Sequence, residues 1–205
     1  MPDDVTNLPG LTGRPASAGP PRFRAPTLAE LDPDQAAVHR AIADGPRRAQ
    51  TRVPLADDEG RLRGPFGPML LTPRIGGAVQ QVGAALRTDP DLPPRMRELA
   101  ILAVAASADS RFEWSAHEPA ALAAGATAEQ LQALLDEAEP PGLDEREALA
   151  VATVRRLRAD GTLDDGRYAE AREVLGDATL AALVWLTGYY AMLAIALGTF
   201  RPEGT

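Results

Sequence analysis

The sequence predicts an all-α protein. Three observations carry that reading: apolar residues recur at helical spacing along most of the chain from Thr27 onward, no stretch alternates apolar with polar residues, and helix start and stop signals bracket the periodic segments. Thr27 and Glu30 have capping-box spacing at the head of the first helical stretch, in which Leu28, Leu31 and Val38 are apolar positions, and Gly45 with Pro46 ends it. An arginine-rich polar connection over 47–63 follows. Residues 64–71 then read as a buried irregular turn, because two prolines and two glycines oppose a regular helix. Further helices are expected over 75–87, 94–106, 110–124, 128–138, 145–159, 165–175 and 178–200. Pro93 and Pro94 open one of them, Gly125 closes another, and Thr127 with Gln130 repeats the capping-box spacing.

Residues 1–26 hold six of the nineteen prolines, three glycines and no apolar periodicity, which is the composition of a disordered tail. The remainder, 27–205, reads as a single domain. The tail lacks a basic segment followed by an apolar run, so it is not read as a secretory signal and a cytoplasmic location is expected. The last helix carries no charge from Ala178 to Phe200, long enough to cross a bilayer at about 1.5 Å per residue. Alanine, threonine and glycine dilute its large apolar residues and no basic cluster flanks it, so it is read as a helix buried in a core or a subunit interface, with no membrane partner. A homo-oligomer is the expected consequence.

Absences in the composition remove whole chemistries. The chain has no cysteine and no lysine; all 21 basic residues are arginine. A thiol nucleophile, a disulfide relay and a thiolate-held metal are therefore excluded, as are a lysine Schiff base and a phosphate-loop lysine. This chain is not a thiol peroxidase. A net charge of -8 opposes phosphate-backbone binding, so nucleic acid is not an expected partner. Acid/base chemistry on a small molecule survives these exclusions.

One stretch places ionisable residues in order within otherwise apolar helices. Glu113 and His117 stand four apart, on one helix face, where a carboxylate and an imidazole come within reach of each other and the carboxylate can fix the ring's tautomer. Glu98 lies on the preceding helix, and the short connection through Ala108 and Asp109 makes the two helices neighbours. A histidine so placed suits general acid/base work near neutral pH. The bland alternative is that Ser110 and Glu113 form a capping box at the start of that helix and that His117 is structural. Pro119, two residues after His117, must distort the helix locally. Trp114 and Tyr189 are substrate-binding candidates, whereas His39, with no motif around it, is read as structural or exposed. With one histidine and two carboxylates in the cluster, no metal site is assigned.

The run Leu92-Pro93-Pro94-Arg95-Met96-Arg97-Glu98-Leu99-Ala100-Ile101-Leu102, followed by Phe112-Glu113-Trp114-Ser115-Ala116-His117-Glu118-Pro119, resembles the carboxymuconolactone decarboxylase family. Gly64-Pro65-Phe66 and Leu186-Thr187-Gly188-Tyr189-Tyr190 are similar to it as well, so the resemblance spans about residues 64–200. The alkylhydroperoxidase D branch of that superfamily carries a glutamate, two cysteines and a histidine at a spacing that Glu98 and His117 match. Ser110 and Glu113 occupy the two cysteine positions. The resemblance therefore implies the shared helical fold and oligomeric assembly without the peroxidase activity. It implies a decarboxylase-like lyase acting on a small lactone or keto acid, with no metal or organic cofactor, and with Glu98, Glu113 and His117 as catalytic candidates. An isomerase, dehydratase or cyclase acting on an acidic C–H, and a non-catalytic oligomeric binding protein, are the alternatives.

Overall fold

The computed structural model describes residues 20–45 and 54–203. The expected tail lies outside the described residues up to residue 19, and so does the connection over 46–53. Among the described residues the chain is helical with only two isolated β-bridges, as the sequence predicts. Where the sequence reading took 27–205 as one domain, the described residues divide into two compact units, 90–191 and a second made of 20–45, 54–89 and 192–203.

The first unit is built around α4 (Pro94–Ser107). Its residues Leu99–Ala105 are all buried, as expected of a helix that is apolar all round. Packed on α4 are α5 (Arg111–Ala123), α6 (Ala128–Leu135) and α7 (Glu145–Asp160), and α7 in turn packs on α8 (Asp165–Leu175). The caps follow from residue chemistry. Thr127 and Asp144 each complete a reciprocal box with Gln130 and Glu147, and Asp164 accepts from the backbone N–H of Arg167. Arg95 ties three elements together: its Nη1 donates to both Glu147 oxygens at 2.8 and 2.6 Å, and its Nη2 donates to Gln130 Oε1 at 3.1 Å. Helix α6 ends at Leu135, three residues short of the expected end, with Glu137 soon after it in the left-handed region at φ 55°.

The second unit holds α1 (Pro33–Ala43), α2 (Phe66–Met69) and α3 (Pro73–Thr88), with α1 and α2 both packed on α3. The Thr27–Glu30 box forms, but it heads only a short 3-10 turn, Leu28–Glu30; the α-helix starts afresh at Pro33, capped by Asp32. Residues 64–71, expected to be irregular, contain the single buried turn α2. Its prolines are tolerated because Pro65 precedes it and Pro68 lies within the first turn, where an amide has no helical partner to lose. Residues 20–26, the end of the expected tail, are tied to the chain's other end: Arg22 N–H donates to Arg201 O at 3.1 Å and Glu203 N–H to Phe23 O at 3.0 Å. His39 is buried and its Nε2 bonds the Gly60 carbonyl at 2.8 Å, a structural role.

Helix α9 (Asp177–Phe200) contributes Asp177–Ala191 to the first unit and Met192–Phe200 to the second. It is long and apolar enough to cross a membrane, yet about half of its most apolar window is buried inside the protein, as in a core helix. Leu180, Leu183, Leu186, Tyr189 and Tyr190 are its inward residues in the first unit.

Candidate functional site

The site grows from the hairpin of α4 and α5. Three residues join these helices, with Ser110 N–H donating to Ala105 O at 2.9 Å and Asp109 holding a positive φ of 50°, a conformation that aspartate tolerates better than most residues. This tight turn makes the helices neighbours and brings Glu98 opposite His117. His117 Nδ1–H donates to Glu98 Oε2 at 2.7 Å, and both side chains are buried. The other oxygen of Glu98 accepts from Arg97 Nε at 3.1 Å. Burial pushes the Glu98 carboxyl up, but the hydrogen bond and charge of His117, and then Arg97, outweigh it, so the group is held below the usual carboxylate range.

With Nδ1 engaged, Nε2 is the ring nitrogen that remains for proton transfer. It faces two groups: the Tyr190 hydroxyl at 3.2 Å and Glu113 Oε2 at 3.8 Å. The rings of His117 and Tyr190 meet edge to face with centroids 5.2 Å apart, and Tyr189 meets Tyr190 in the same way, also at 5.2 Å.

All three catalytic candidates, Glu98, Glu113 and His117, are thus brought together. The capping-box alternative for Glu113 does not form: Ser110 is the N-cap residue of α5 but makes no side-chain cap bond, and Glu113 turns inward, where it is 4% exposed. Ser110 Oγ is itself buried without a hydrogen-bond partner. Tyr189 joins the cluster one ring removed from His117. Trp114 is fully buried and makes no hydrogen bond to the cluster among the described residues. Pro119 is accommodated inside α5, which runs on to Ala123.

Sequence reasoning missed two members. Arg97 stands next to Glu98 in sequence, a spacing that does not ordinarily bring side chains together on a helix. Tyr190 had a signal that was legible: a tyrosine in a helix without charges is buried, and a buried phenol needs a partner. Among the described residues no group of three or more metal-ligating side chains forms. The first unit also has a surface groove of about 930 Å³ lined by α4, α7, α8 and the connection before α7; none of Glu98, Glu113, His117 or Tyr190 lines it.

The comparisons agree with this architecture. A solved structure described as the alkylhydroperoxidase D core, an uncharacterized peroxidase-related protein from Ralstonia eutropha JMP134, superposes with a TM-score of 0.69 at 16% sequence identity, covering 91% of this chain and 94% of that one. No curated protein matches the sequence. The model of the carboxymuconolactone decarboxylase family matches residues 73–155, which contain α3 to α6, most of α7, and Glu98, Glu113 and His117 but not Tyr190. The fold is thus all-helical and of the alkylhydroperoxidase D type, and within it the segment 73–155 is similar to the carboxymuconolactone decarboxylase family.

Proposed function

We propose that the protein is a cofactor-independent acid/base enzyme of the decarboxylase type, acting on a small lactone acid or keto acid by proton transfer at His117 Nε2. One observation carries this reading: Nδ1 is locked to an ionised Glu98 at 2.7 Å, so the ring is fixed in tautomer and direction and presents a single nitrogen for chemistry. Loss of carbon dioxide leaves the bonding electron pair on the α carbon as an enolate. The Nε2–H bond breaks, the new C–H bond forms, and the neutral imidazole recovers its proton from solvent. Glu98 supports the imidazolium during this cycle, and Glu113 lies near enough to tune the charge at Nε2. The same geometry serves an isomerase, dehydratase or cyclase that moves a proton at an acidic C–H.

The complete burial of the cluster favours a second reading, a non-catalytic binding protein in which these residues form a structural polar network. One experiment separates them. Wild type and His117→Gln are incubated with lactone acids and β-keto acids in deuterated buffer, and NMR follows carboxylate loss and deuterium uptake at carbon, with folding checked on the same samples. Conversion by wild type and not by the folded variant supports the enzyme; carboxylate loss separates a decarboxylase from an isomerase. Inactivity of both, with a strongly destabilised variant, supports the network.

The protein is further proposed to assemble with a second copy through α9. Val184, Trp185, Met192 and Ile195 recur at helical spacing and stay exposed in the single chain, Trp185 and Ile195 by 66% and 69%. This stretch carries no charge, so an apolar surface like itself complements it and a charged partner does not. Trp185→Arg is expected to reduce the mass measured by light scattering; an unchanged mass removes α9 from the interface.

A further inference from the structure

We infer that the Tyr190 hydroxyl, rather than His117 itself, is the group that exchanges the proton with bound substrate. The inference rests on the acid/base reading of His117 and adds the last link to it.

Nε2 already has a hydrogen-bonding neighbour. Tyr190 Oη lies 3.2 Å from it, both residues are buried, and Tyr190 packs edge to face against both the His117 ring and the Tyr189 ring, which holds the phenol in place. A substrate carbon that approaches Nε2 from the side of Tyr190 meets that hydroxyl first. It can reach Oη with the network intact, because a phenol oxygen both donates and accepts. The chain then reads Arg97, Glu98, His117, Tyr190: a guanidinium orients a carboxylate, the carboxylate orients an imidazole, and the imidazole serves a phenol. Arg97 and Glu98 act through His117 and are positioning residues.

The step balances without any further reactant. In the protonating direction the Tyr190 O–H bond breaks as the substrate carbanion takes the proton and a C–H bond forms. At the same time the Nε2–H bond of the imidazolium breaks and its proton moves to Oη. Tyr190 ends as it began, His117 ends neutral, and the Glu98 carboxylate has balanced the ring's charge until that point. The reverse sequence abstracts a proton from an acidic C–H. A phenol is a weak acid, so passing through it demands a strongly basic acceptor, which an α carbanion or enolate supplies. Facing the pair are Glu98 and Arg97 from α4, Glu113 from α5 and Tyr189 from α9.

Tyr190→Phe removes the hydroxyl and keeps the ring packing. The variant is compared with wild type and His117→Gln in the deuterium-uptake assay, together with pH profiles, kcat and KM, and ¹⁵N NMR of the His117 ring. The expected result is a folded Y190F protein whose kcat falls by about 100-fold or more with little change in KM, whose pH profile is altered, and whose Nε2 resonance moves because its partner is gone. A merely structural phenol would change stability or KM and leave the pH profile as it was. Wild-type exchange rates in Y190F alongside an inactive H117Q overturn the inference and leave the proposed function standing, with His117 touching substrate directly. Absence of exchange in wild type itself with every compound overturns the proposed function, and the relay with it.

Discussion

Replacing Glu98 by glutamine removes a charge without shortening the side chain, and the structure fixes what is lost. The two carboxylate oxygens accept one bond each, from His117 Nδ1 at 2.7 Å and from Arg97 Nε at 3.1 Å. An amide offers only one acceptor oxygen, so one donor is left facing an NH₂ group. A hydrogen bond to a charged group contributes about 1.5–3 kcal/mol, so Glu98→Gln is expected to cost about 2 kcal/mol at neutral pH, or about 4–8 °C in Tm for a chain of this size. The pH dependence has a definite sign. Because folding holds the Glu98 carboxyl below its ordinary value of 4.5, its contribution is fully present above that value and is lost as pH falls through the folded-state value. Urea denaturation of wild type and variant between pH 7 and pH 3 should therefore show a gap that is constant down to about pH 5 and closes in acid. A double-mutant cycle with His117→Gln should return a coupling of about 1–3 kcal/mol, as expected for residues in direct contact. Equal stability at neutral pH, or a gap that widens on acidification, would refute the argument that an ionised Glu98 anchors the imidazole.

Glu147→Ala removes both bonds to Arg95 and the returning arm of the α7 capping box, leaving a partly buried guanidinium short of its anion; a loss of about 3 kcal/mol in urea denaturation is expected. In the second unit, a Cβ added at Gly76 would run into the backbone carbonyl of Met69, so Gly76→Ala should destabilise by about 2–3 kcal/mol despite alanine's better helix propensity, and a neutral result would show that α2 and α3 can part cheaply. Ser110→Ala removes a buried hydroxyl that bonds nothing, and its expected effect is neutral or stabilising by up to about 1 kcal/mol; a clear loss in thermal denaturation would reveal a partner for that hydroxyl.

Helical periodicity made most of the fold legible, and the helix over 165–175 coincides with its expected range. Errors arose where local chemistry had two solutions. Thr27 and Glu30 do form their box, but the proline at residue 33 and the cap at Asp32 restart the chain, so the box heads a 3-10 turn. Ser110 and Glu113 have equally good capping spacing and form no box, because burial of Glu113 beside His117 takes the carboxylate away from the helix end. Sequence spacing cannot rank these outcomes; the packing of the neighbouring helix decides between them. For the same reason Glu98, Glu113 and His117 were legible from one hairpin, whereas Tyr190 arrives from a helix 73 residues further along the chain. Only the fold reports that contact.

The division of labour around the imidazole is asymmetric, and the asymmetry says more about function than any single residue does. On the Nδ1 side the bond is short, charge-assisted and backed by an arginine, an arrangement that resists change. On the Nε2 side the contacts are longer, at 3.2 Å to a phenol and 3.8 Å to a second carboxylate. A purely structural network would gain most from strong bonds on both sides, since each looser contact leaves part of a buried polar group's desolvation uncompensated. Keeping one nitrogen loosely partnered costs stability and leaves a site where a proton can move. Without cysteine this hairpin has no thiol to exchange, and the second group beside Nε2, Glu113 at 3.8 Å, is a carboxylate.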